Sequence, residues 1–336
     1  MCQHLGHTRE EKMLKKTTTV TAALVAVLAT PALAEWPERP INITVPWQAG
    51  AGAVDQMTRQ LQATVAEGDL SSQPITVFNV GGPNPVGLRQ SMSAPADGYN
   101  FVVVHTAMMT LEAAGKIDFG YQDFEPVARL GQFCQTTSVH KDTGITSLDE
   151  LLERAASEPN TLVHGANLGA INHVYGIMVE DLMEGAEFRF VQTGGDAGTF
   201  PEMKGGRVQV TGYSAAGATN FALGADGAPD PESPVQMLAY AGPERHQNFP
   251  DVPTFVELGH DLIFCVDGWY FAPAGTPQEA IDGFAAMIEA SLADEGMQTF
   301  LDSKAMVGNF QAGDALSAEM DRQWAAIKDV AARAAN

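Results

Sequence analysis

The residues best suited to chemistry form a run of small side chains, Gly50-Ala51-Gly52-Ala53, near the start of the chain. Such residues let a ligand approach bare backbone N–H groups, and a helix that follows adds partial positive charge at its N-terminus. Trp47, Gln48 and Ala49 lead into the run, and Asp55 follows it. The stretch therefore predicts an anion site that is built without basic side chains.

Other interpretations of this run have different requirements. A dinucleotide site needs Gly-x-Gly-x-x-Gly, but Gly50 and Gly52 are followed by Asp55 where the third glycine would stand. A phosphate-binding loop needs Gly-Lys-Ser or Gly-Lys-Thr, which the run lacks. An ordinary turn between a strand and a helix is also rich in small residues, so that interpretation stays open.

A second loop of small residues runs from Gly165 to His173, ahead of another helical stretch. Thr106 and Asp196 join the candidates because each follows a predicted strand or its turn. For three of these candidates a structural role stays open. Trp47 could pack under the loop, Asp55 could accept N–H bonds at the helix start, and His173 could be a packed ring. The candidate ligand-binding residues are Trp47, Gln48, Ala49, Gly50, Ala51, Gly52, Ala53, Asp55, Asn79, Thr106, Gly165, Ala166, Asn167, Gly169, Ala170, His173 and Asp196.

Catalytic motifs are incomplete. The stretch from Gly212 to Gly217 places Ser214 in a near match to the Gly-x-Ser-x-Gly elbow, with one residue too many. His246 and His260 follow it, but nothing marks either as a catalytic partner. Cysteine and histidine lack zinc-site spacing, and the methionines are typical of packing. We therefore expect no enzyme activity, no catalytic residue, no cofactor and no metal.

The elements that must position these loops alternate between strand and helix. Apolar residues alternate from Ile41 to Val45, which predicts a strand, and recur at steps of three and four from Val54 to Val65, which predicts a helix. The same rhythm runs a second time after a capping box at Ser147 and Glu150. Near the end, we expect a helix with Thr276 as its cap and a last helix over residues 314–334. Such alternation favours an α/β fold with parallel sheets.

The first residues read as an export signal. Lys15 and Lys16 precede an apolar run from Val20 to Leu28, and Ala32-Leu33-Ala34 is typical of a cleavage site. The apolar run is too short to span a bilayer comfortably. We expect residues 1–34 to be a cleaved leader and the mature protein to be periplasmic.

Charge and cysteine content limit the partners. Acidic residues number 41 against 19 basic ones, for a formal net charge of −22. This balance argues against nucleic acid and against anionic membranes, so we expect no nucleic-acid partner and no direct membrane insertion. We also expect a monomer. Cys2 leaves with the leader, and Cys134 and Cys265 remain as an even pair in an oxidising compartment.

Four stretches carry a resemblance to a known family: Phe249–Gly259, Gly268–Pro277, Ala94–Tyr99 and Asp123–Val127. In these stretches the chain is similar to the periplasmic solute receptors of tripartite tricarboxylate transporters, the Bug receptors. The resemblance spans nearly the whole mature chain. It places the Gly50 run at that family's first ligand loop and the loop from Gly165 to His173 at its second.

The resemblance implies a two-domain periplasmic-binding-protein fold of type II. Each domain of this Venus flytrap would be a mostly parallel sheet flanked by helices, with the ligand cleft between domains. Domain 1 would comprise residues 35–132 and 268–336, and domain 2 residues 133–267. The chain would cross between them near residues 131–135 and 265–272. Because Cys134 and Cys265 lie on these crossing stretches, we hypothesise that they approach each other and form a disulfide.

The resemblance also implies a function. The receptor would capture a small organic carboxylate in the cleft and deliver it to the membrane permease subunits of the transporter. A receptor that serves a sensor kinase without transport is the alternative, and a hydrolase is a more distant one. The chain departs from the family pattern where its loops lack hydroxyl groups, at Gly165 and Ala170 and in the first loop. Each lost hydroxyl removes a hydrogen-bond donor for a carboxylate.

Overall fold

The structure is a computed structural model that describes residues 36–46, 53–80 and 86–335, together with Met1 and Ala49. Trp47, Gln48, Gly50, Ala51 and Gly52, which belong to the predicted first ligand loop, lie outside the described residues. The same holds for the expected leader apart from Met1. From Trp36 onward the chain forms one compact unit.

Strands and helices alternate along most of the described chain. The strands are β1 (Ile41–Val45), β2 (Ile75–Asn79), β3 (Asn100–Val104), β4 (Phe124–His140), β5 (Val163–Ala166), β6 (Arg189–Gln192), β7 (Val210–Ser214), β8 (Val235–Tyr240), β9 (Cys265–Pro273) and β10 (Val307–Ala312). The α-helices are α1 (Ala53–Glu67), α2 (Val86–Met92), α3 (Ala107–Ala113), α4 (Leu148–Ser157), α5 (Ile171–Glu180), α6 (Asp196–Lys204), α7 (Ala215–Ala222), α8 (Gln278–Ser291), α9 (Glu295–Ser303) and α10 (Gly313–Ala334).

The strands form one continuous sheet in the order β2-β1-β3-β9-β4-β7-β5-β6, and β8 and β10 also pair with β4. Pairing is parallel within β2-β1-β3 and within β7-β5-β6. The long strands β4 and β9 run antiparallel to their neighbours and join the two parallel groups. The predicted α/β class, with mostly parallel groups flanked by helices, is confirmed.

Strand β4 belongs to both groups. Up to Cys134 it pairs with β9, and from Gln135 onward it pairs with β7. The two predicted crossing stretches are therefore neighbouring strands. Cys134 lies directly opposite Cys265, their Cα atoms are 3.8 Å apart and their Sγ atoms are bonded, so the disulfide hypothesis is confirmed. The division into domains at residues 132 and 268 stays a prediction, since the sheet runs through it.

The core follows the predicted apolar patterns. Helix α1 buries Val54, Met57, Leu61 and Val65, and these side chains pack in one cluster with the alternate residues of β1. A second cluster joins α4, α5 and α10. Burial of this kind stabilises the fold by about 25 cal/mol for each Å² of apolar surface removed from water.

Helix ends agree with the sequence in most places. Ser147 caps α4 by accepting a hydrogen bond from the Glu150 N–H, 3.2 Å away. The prediction at α8 is wrong by one residue, because Pro277 is the cap and the Thr276 hydroxyl donates to the Pro273 carbonyl instead. Helix α10 begins one residue before the predicted position. Within the described ranges, no helix is both long and apolar enough to cross a membrane.

Candidate functional site

A cavity of about 630 Å³ lies at the carboxyl ends of the parallel strands. In open α/β sheets ligands bind outside these strand ends, where the following helices begin. Helices α1, α3, α5, α6 and α7 each contribute residues of their first turn. The lining consists of Ala53, Gln56, His105, Ala107, Thr110, Leu111, Phe133, Gln135, Asn167, Gly169, Ala170, Ile171, Asn172, Gly195, Asp196, Ser214, Ala216, Asn220, Val266, Lys304 and Met306.

The crossing strands separate the two groups of loops. Phe133 and Gln135 of β4 and Val266 of β9 line the cavity. Side chains alternate between the faces of a strand, so Cys134 and Cys265 lie on the other face. They line two smaller cavities, of about 430 and 220 Å³. The disulfide therefore joins the crossing strands next to the larger cavity without lining it.

Five of the predicted site residues line this cavity: Ala53, Asn167, Gly169, Ala170 and Asp196. They come from three helix starts that are far apart in sequence and are brought together by the sheet. That they contact a ligand stays a prediction.

The second loop uses its own backbone donors. Asn167 N–H donates to Asn172 Oδ1 at 3.1 Å, and Leu168 N–H donates to Gln192 Oε1 at 2.9 Å. Gly169 N–H donates to His173 Nδ1 at 3.0 Å. A ligand would have to displace these side chains before it could use the predicted loop donors. At the start of α5, by contrast, the N–H groups of Ile171 and Asn172 have no acceptor within the described part of the chain.

His173 packs against Phe190 and accepts the Gly169 N–H of the second loop. Its ring lies 4.5 Å from the Phe190 ring, centroid to centroid, and burial lowers its pKa. The ring is therefore held in the neutral form, which can accept the Gly169 N–H. His173 does not line the cavity, and this contact is the packing role that the sequence left open.

Three further candidates bond to other residues of the fold: Asp55, Asn79 and Thr106. Asp55 is fully buried and accepts hydrogen bonds from Asn79 Nδ2 at 2.7 Å and from Arg59 Nε at 3.1 Å. Thr106 is 1% exposed, and its Oγ1 accepts from the Asp267 N–H at 3.4 Å. Side chains of β2 and α1 therefore hold Asp55, and its expected role as an acceptor at the helix start stays a prediction. Asp55, Asn79 and Thr106 are not part of the cavity lining.

Gly165 and Ala166 belong to β5 and are buried. A Cβ on Gly165 would come within 2.8 Å of Thr199 Cγ2, so close packing explains the glycine. The Ala166 carbonyl accepts from the Thr193 N–H at 2.8 Å. Neither residue lines the cavity, and Ala49 is exposed outside the lining.

Asp196 and Ser214 form a hydrogen-bonded pair on the cavity wall. Ser214 Oγ donates to Asp196 Oδ2 at 2.5 Å, and the Ser214 N–H lies 3.2 Å from the same oxygen. The serine also caps α7, because its Oγ accepts the Gly217 N–H at 3.0 Å. Burial raises the pKa of Asp196, and the hydrogen bonds from Ser214 oppose that shift. Among the described residues Ser214 has no hydrogen bond to a histidine, so the pair differs from a Ser-His-Asp triad.

Charge on the cavity wall is sparse. Lys304 is the cation of the described lining, and Asp196 is its acid. His105 also lines the cavity, but burial lowers its pKa to about 4, so its ring is neutral at pH 7. Its Nδ1 accepts the Ala107 N–H at 3.0 Å. Among the described residues, no group of three or more metal-ligating side chains could hold a metal ion.

Sequence reasoning missed most of the lining. His105 and Ser214 end or follow strands and could have been found by that position alone. Lys304 and Met306 precede β10, and Phe133 and Val266 lie inside long apolar strands, so no local pattern marks them. The missed residues are Gln56, His105, Ala107, Thr110, Leu111, Phe133, Gln135, Ile171, Asn172, Gly195, Ser214, Ala216, Asn220, Val266, Lys304 and Met306.

Comparisons with known proteins agree with this architecture. A relative from Cupriavidus necator, the UPF0065 protein in the gbd 5′ region, is 28% identical over 269 residues, which are 78% of this chain and 77% of the relative. The protein BugT of Bordetella pertussis is 27% identical over 296 residues, or 85% of this chain and 84% of BugT.

Solved structures show the same fold. A TctC solute-binding protein from Polaromonas, without ligand, superposes with a TM-score of 0.76 at 24% identity and covers 88% of this chain and 98% of its own. MatC from Rhodopseudomonas palustris with bound malate superposes with a TM-score of 0.68 at 22% sequence identity, and the match covers 88% of this chain and 100% of MatC. An R. palustris protein with adipate superposes with a TM-score of 0.70 at 22% sequence identity, and the match covers 90% of this chain and 98% of that protein.

The family model named TctC, the tripartite tricarboxylate transporter family receptor, matches residues 57–328. This match spans every strand except β1 and every cavity-lining residue except Ala53 and Gln56. The chain therefore belongs to the TctC family of solute-binding receptors.

Proposed function

We propose that this protein captures a small organic carboxylate in the 630 Å³ cavity and delivers it to the membrane permease of a tripartite tricarboxylate transporter. The observation that carries the proposal is the convergence of helix starts on one cavity at the carboxyl ends of the strands. Helix N-termini favour anions, by about 0.3–1 kcal/mol when exposed and up to about 2 kcal/mol when partly buried.

The N-terminal ends of α1 and α5 supply the environment that suits an anion. Ala53 and Ile171 begin these helices and line the cavity. The Ile171 and Asn172 N–H groups are open, as described above, and charge-assisted hydrogen bonds to such donors are the strong ones. Lys304 adds a positive charge to the cavity lining.

The fold neighbours support a carboxylate. MatC holds malate and the R. palustris neighbour holds adipate. These are dicarboxylates of different length, so the shared fold accommodates anions of several sizes. The apolar lining residues, such as Leu111, Phe133 and Met306, would then contact the carbon chain of the ligand.

Periplasmic location is part of the proposal. The expected leader supports it, and so does the Cys134–Cys265 disulfide, since disulfides persist in oxidising compartments.

The test is a ligand screen on the purified mature protein. Mono-, di- and tricarboxylates are added singly while the melting temperature is recorded, and hits are titrated by calorimetry. A ligand at a hundred times its Kd stabilises the native state by about 2.7 kcal/mol, which is a measurable shift. Lys304→Met should weaken every hit, whereas Lys328→Met, on the exposed face of α10, should not. The absence of any carboxylate hit would refute the proposal.

A further inference from the structure

Asp196 places a carboxylate where an anionic ligand would otherwise bind. It is the first residue of α6, and its side chain reaches the start of α7. Its oxygens accept from the Ser214 N–H and the Ser214 hydroxyl. The protein thus fills the positive end of α7 with a carboxylate of its own.

The glycine at position 217 permits this arrangement. A Cβ there would come within 2.4 Å of Asp196 Oδ2, so the first turn of α7 is open to the carboxylate only because the residue has no side chain. Ser214 caps the same helix by itself, through the Gly217 N–H. The cap therefore does not need the acid.

Asp196 also keeps hydrogen-bonding capacity on the cavity wall. Among the described residues, Oδ2 accepts the close hydrogen bond from Ser214 Oγ, whereas Oδ1 has only the longer contact of 3.4 Å with the Ser214 N–H. A carboxylate oxygen accepts more than one hydrogen bond. In the described chain no cation forms an ion pair with Asp196.

The Asp196 carboxylate has two consequences for a ligand in the cavity. A ligand carboxylate placed against Asp196 would be repelled, since two carboxylates cannot both stay ionised at contact distance. A hydroxyl or ammonium group placed there would instead donate to the acid. The ligand carboxylate would then lie toward α1, α5 or Lys304.

We propose that Asp196 determines ligand specificity by accepting a hydrogen bond from a donor on the ligand, so that the receptor prefers hydroxy- or amino-substituted carboxylates to unsubstituted ones of equal length. This inference rests on the proposed function, because it presupposes that a carboxylate binds in the cavity. It adds a chemical class that the convergence of helix starts alone does not specify.

The experiment compares ligands that differ by one donor group. Calorimetry is run with two triplets: succinate, malate and aspartate, then propionate, lactate and alanine. In the wild type at least one substituted member of a triplet should bind about tenfold to a hundredfold more tightly than the unsubstituted one, as expected for a hydrogen bond to a charged group. In Asp196→Asn that ratio should fall, by an amount that depends on the donor, and the unsubstituted dicarboxylate should gain affinity.

The two donors are distinguished in the same measurement. If the ligand group is an ammonium, Asp196→Asn should lose most of the preference, because the charge pairing is gone. If it is a hydroxyl, the asparagine still offers an amide oxygen and part of the preference should remain.

Two variants separate specificity from structure. Ser147→Ala removes the cap of α4, outside the cavity lining, so the preference within a triplet should persist even if stability falls. Asp226→Asn removes the same charge in an exposed loop, where its carboxylate accepts the Ala228 N–H, and should change no affinity ratio.

Equal affinities within each triplet for the wild type would overturn the inference. So would an Asp196→Asn variant that weakens all members of a triplet alike, since that is the result of a purely structural role. If no carboxylate of any kind binds, in the screen or in the triplets, the proposed function fails and this inference fails with it.

Discussion

At the scale of single residues, Gly169 shows how the backbone sets the candidate site. Its φ is +80°, in the left-handed region that favours glycine, and it lies on the cavity wall. Its N–H donates to His173, so the turn presents its backbone inward and leaves Leu168 exposed. The shape of the second loop therefore depends on one residue without a side chain.

A substitution at this position should separate binding from folding. Gly169→Ala has open space for its Cβ, with only the Ala334 carbonyl at 3.9 Å, so the cost is backbone strain of about 1–2 kcal/mol. Gly185→Ala is a matched control, since its φ is +83° and nothing lies within 4 Å. Urea unfolding should show similar losses for both variants, whereas calorimetry should show weaker ligand binding for Gly169→Ala alone. Equal affinity in the two variants would place the site away from this loop.

At the scale of elements, the half-buried carboxyl group of Glu180 links α5 to the start of β6. The Phe188 N–H, just before β6, donates to Glu180 Oε1 at the end of α5. Burial raises the pKa of Glu180 to about 7, and Asp181 and Glu187 add to the rise. The ionised form is therefore disfavoured at the junction between the helix and the strand.

This junction should make stability depend on pH. Because the folded-state pKa is raised, the native protein binds more protons than the unfolded chain between about pH 4.5 and 7, and stability falls as pH rises through that window. Glu180→Gln keeps an acceptor for the Phe188 N–H but has no proton to lose. We therefore expect the free energy of unfolding of this variant to fall by about 1–3 kcal/mol less than that of the wild type across the window. Urea unfolding at pH 5 and pH 8 measures it, with exposed Glu184→Gln as the control. Parallel pH profiles for wild type and Glu180→Gln would contradict this account.

At the scale of the whole molecule, β4 and β9 hold the two strand groups together. The disulfide joins them at Cys134 and Cys265, which are 131 residues apart in sequence. A buried ion pair between Arg129 and Asp267 links the same two strands at 3.3 Å. The C-terminal helix α10 contacts both α3 and α5, so it connects the same two parts of the sheet from outside.

Removing the disulfide should lower global stability. By loop-closure entropy a bridge across 131 residues is worth about 4–5 kcal/mol, mainly because it restricts the unfolded chain. We expect the Cys134→Ala/Cys265→Ala double variant to unfold at clearly lower guanidinium concentration than the oxidised protein, and to match the reduced wild type. Thiol titration of the unfolded, unreduced wild type should find no free thiol at either position. Two free thiols there, with unchanged stability, would rule out the bond in solution.

Local patterns in the sequence determined the elements and the family. The apolar stripe of α1 and the alternation in β1 predicted their structures because side-chain burial repeats with the period of the helix or strand. The motifs from Phe249 and from Gly268 indicated the receptor family, and that resemblance placed the two cysteines on neighbouring crossing stretches, which indicated their bond. The loop after β5 was located because small residues collect at strand ends.

Only the tertiary structure decided which side chains meet in the cavity. Lys304, Phe133 and Val266 have no local signal, since their place depends on how distant strands pair. The role of the second loop also changed, because its backbone donors are satisfied by Asn172, Gln192 and His173. Strand order and long-range hydrogen bonds form only in the folded chain. The spacing of residues along the sequence therefore does not show which distant side chains come into contact.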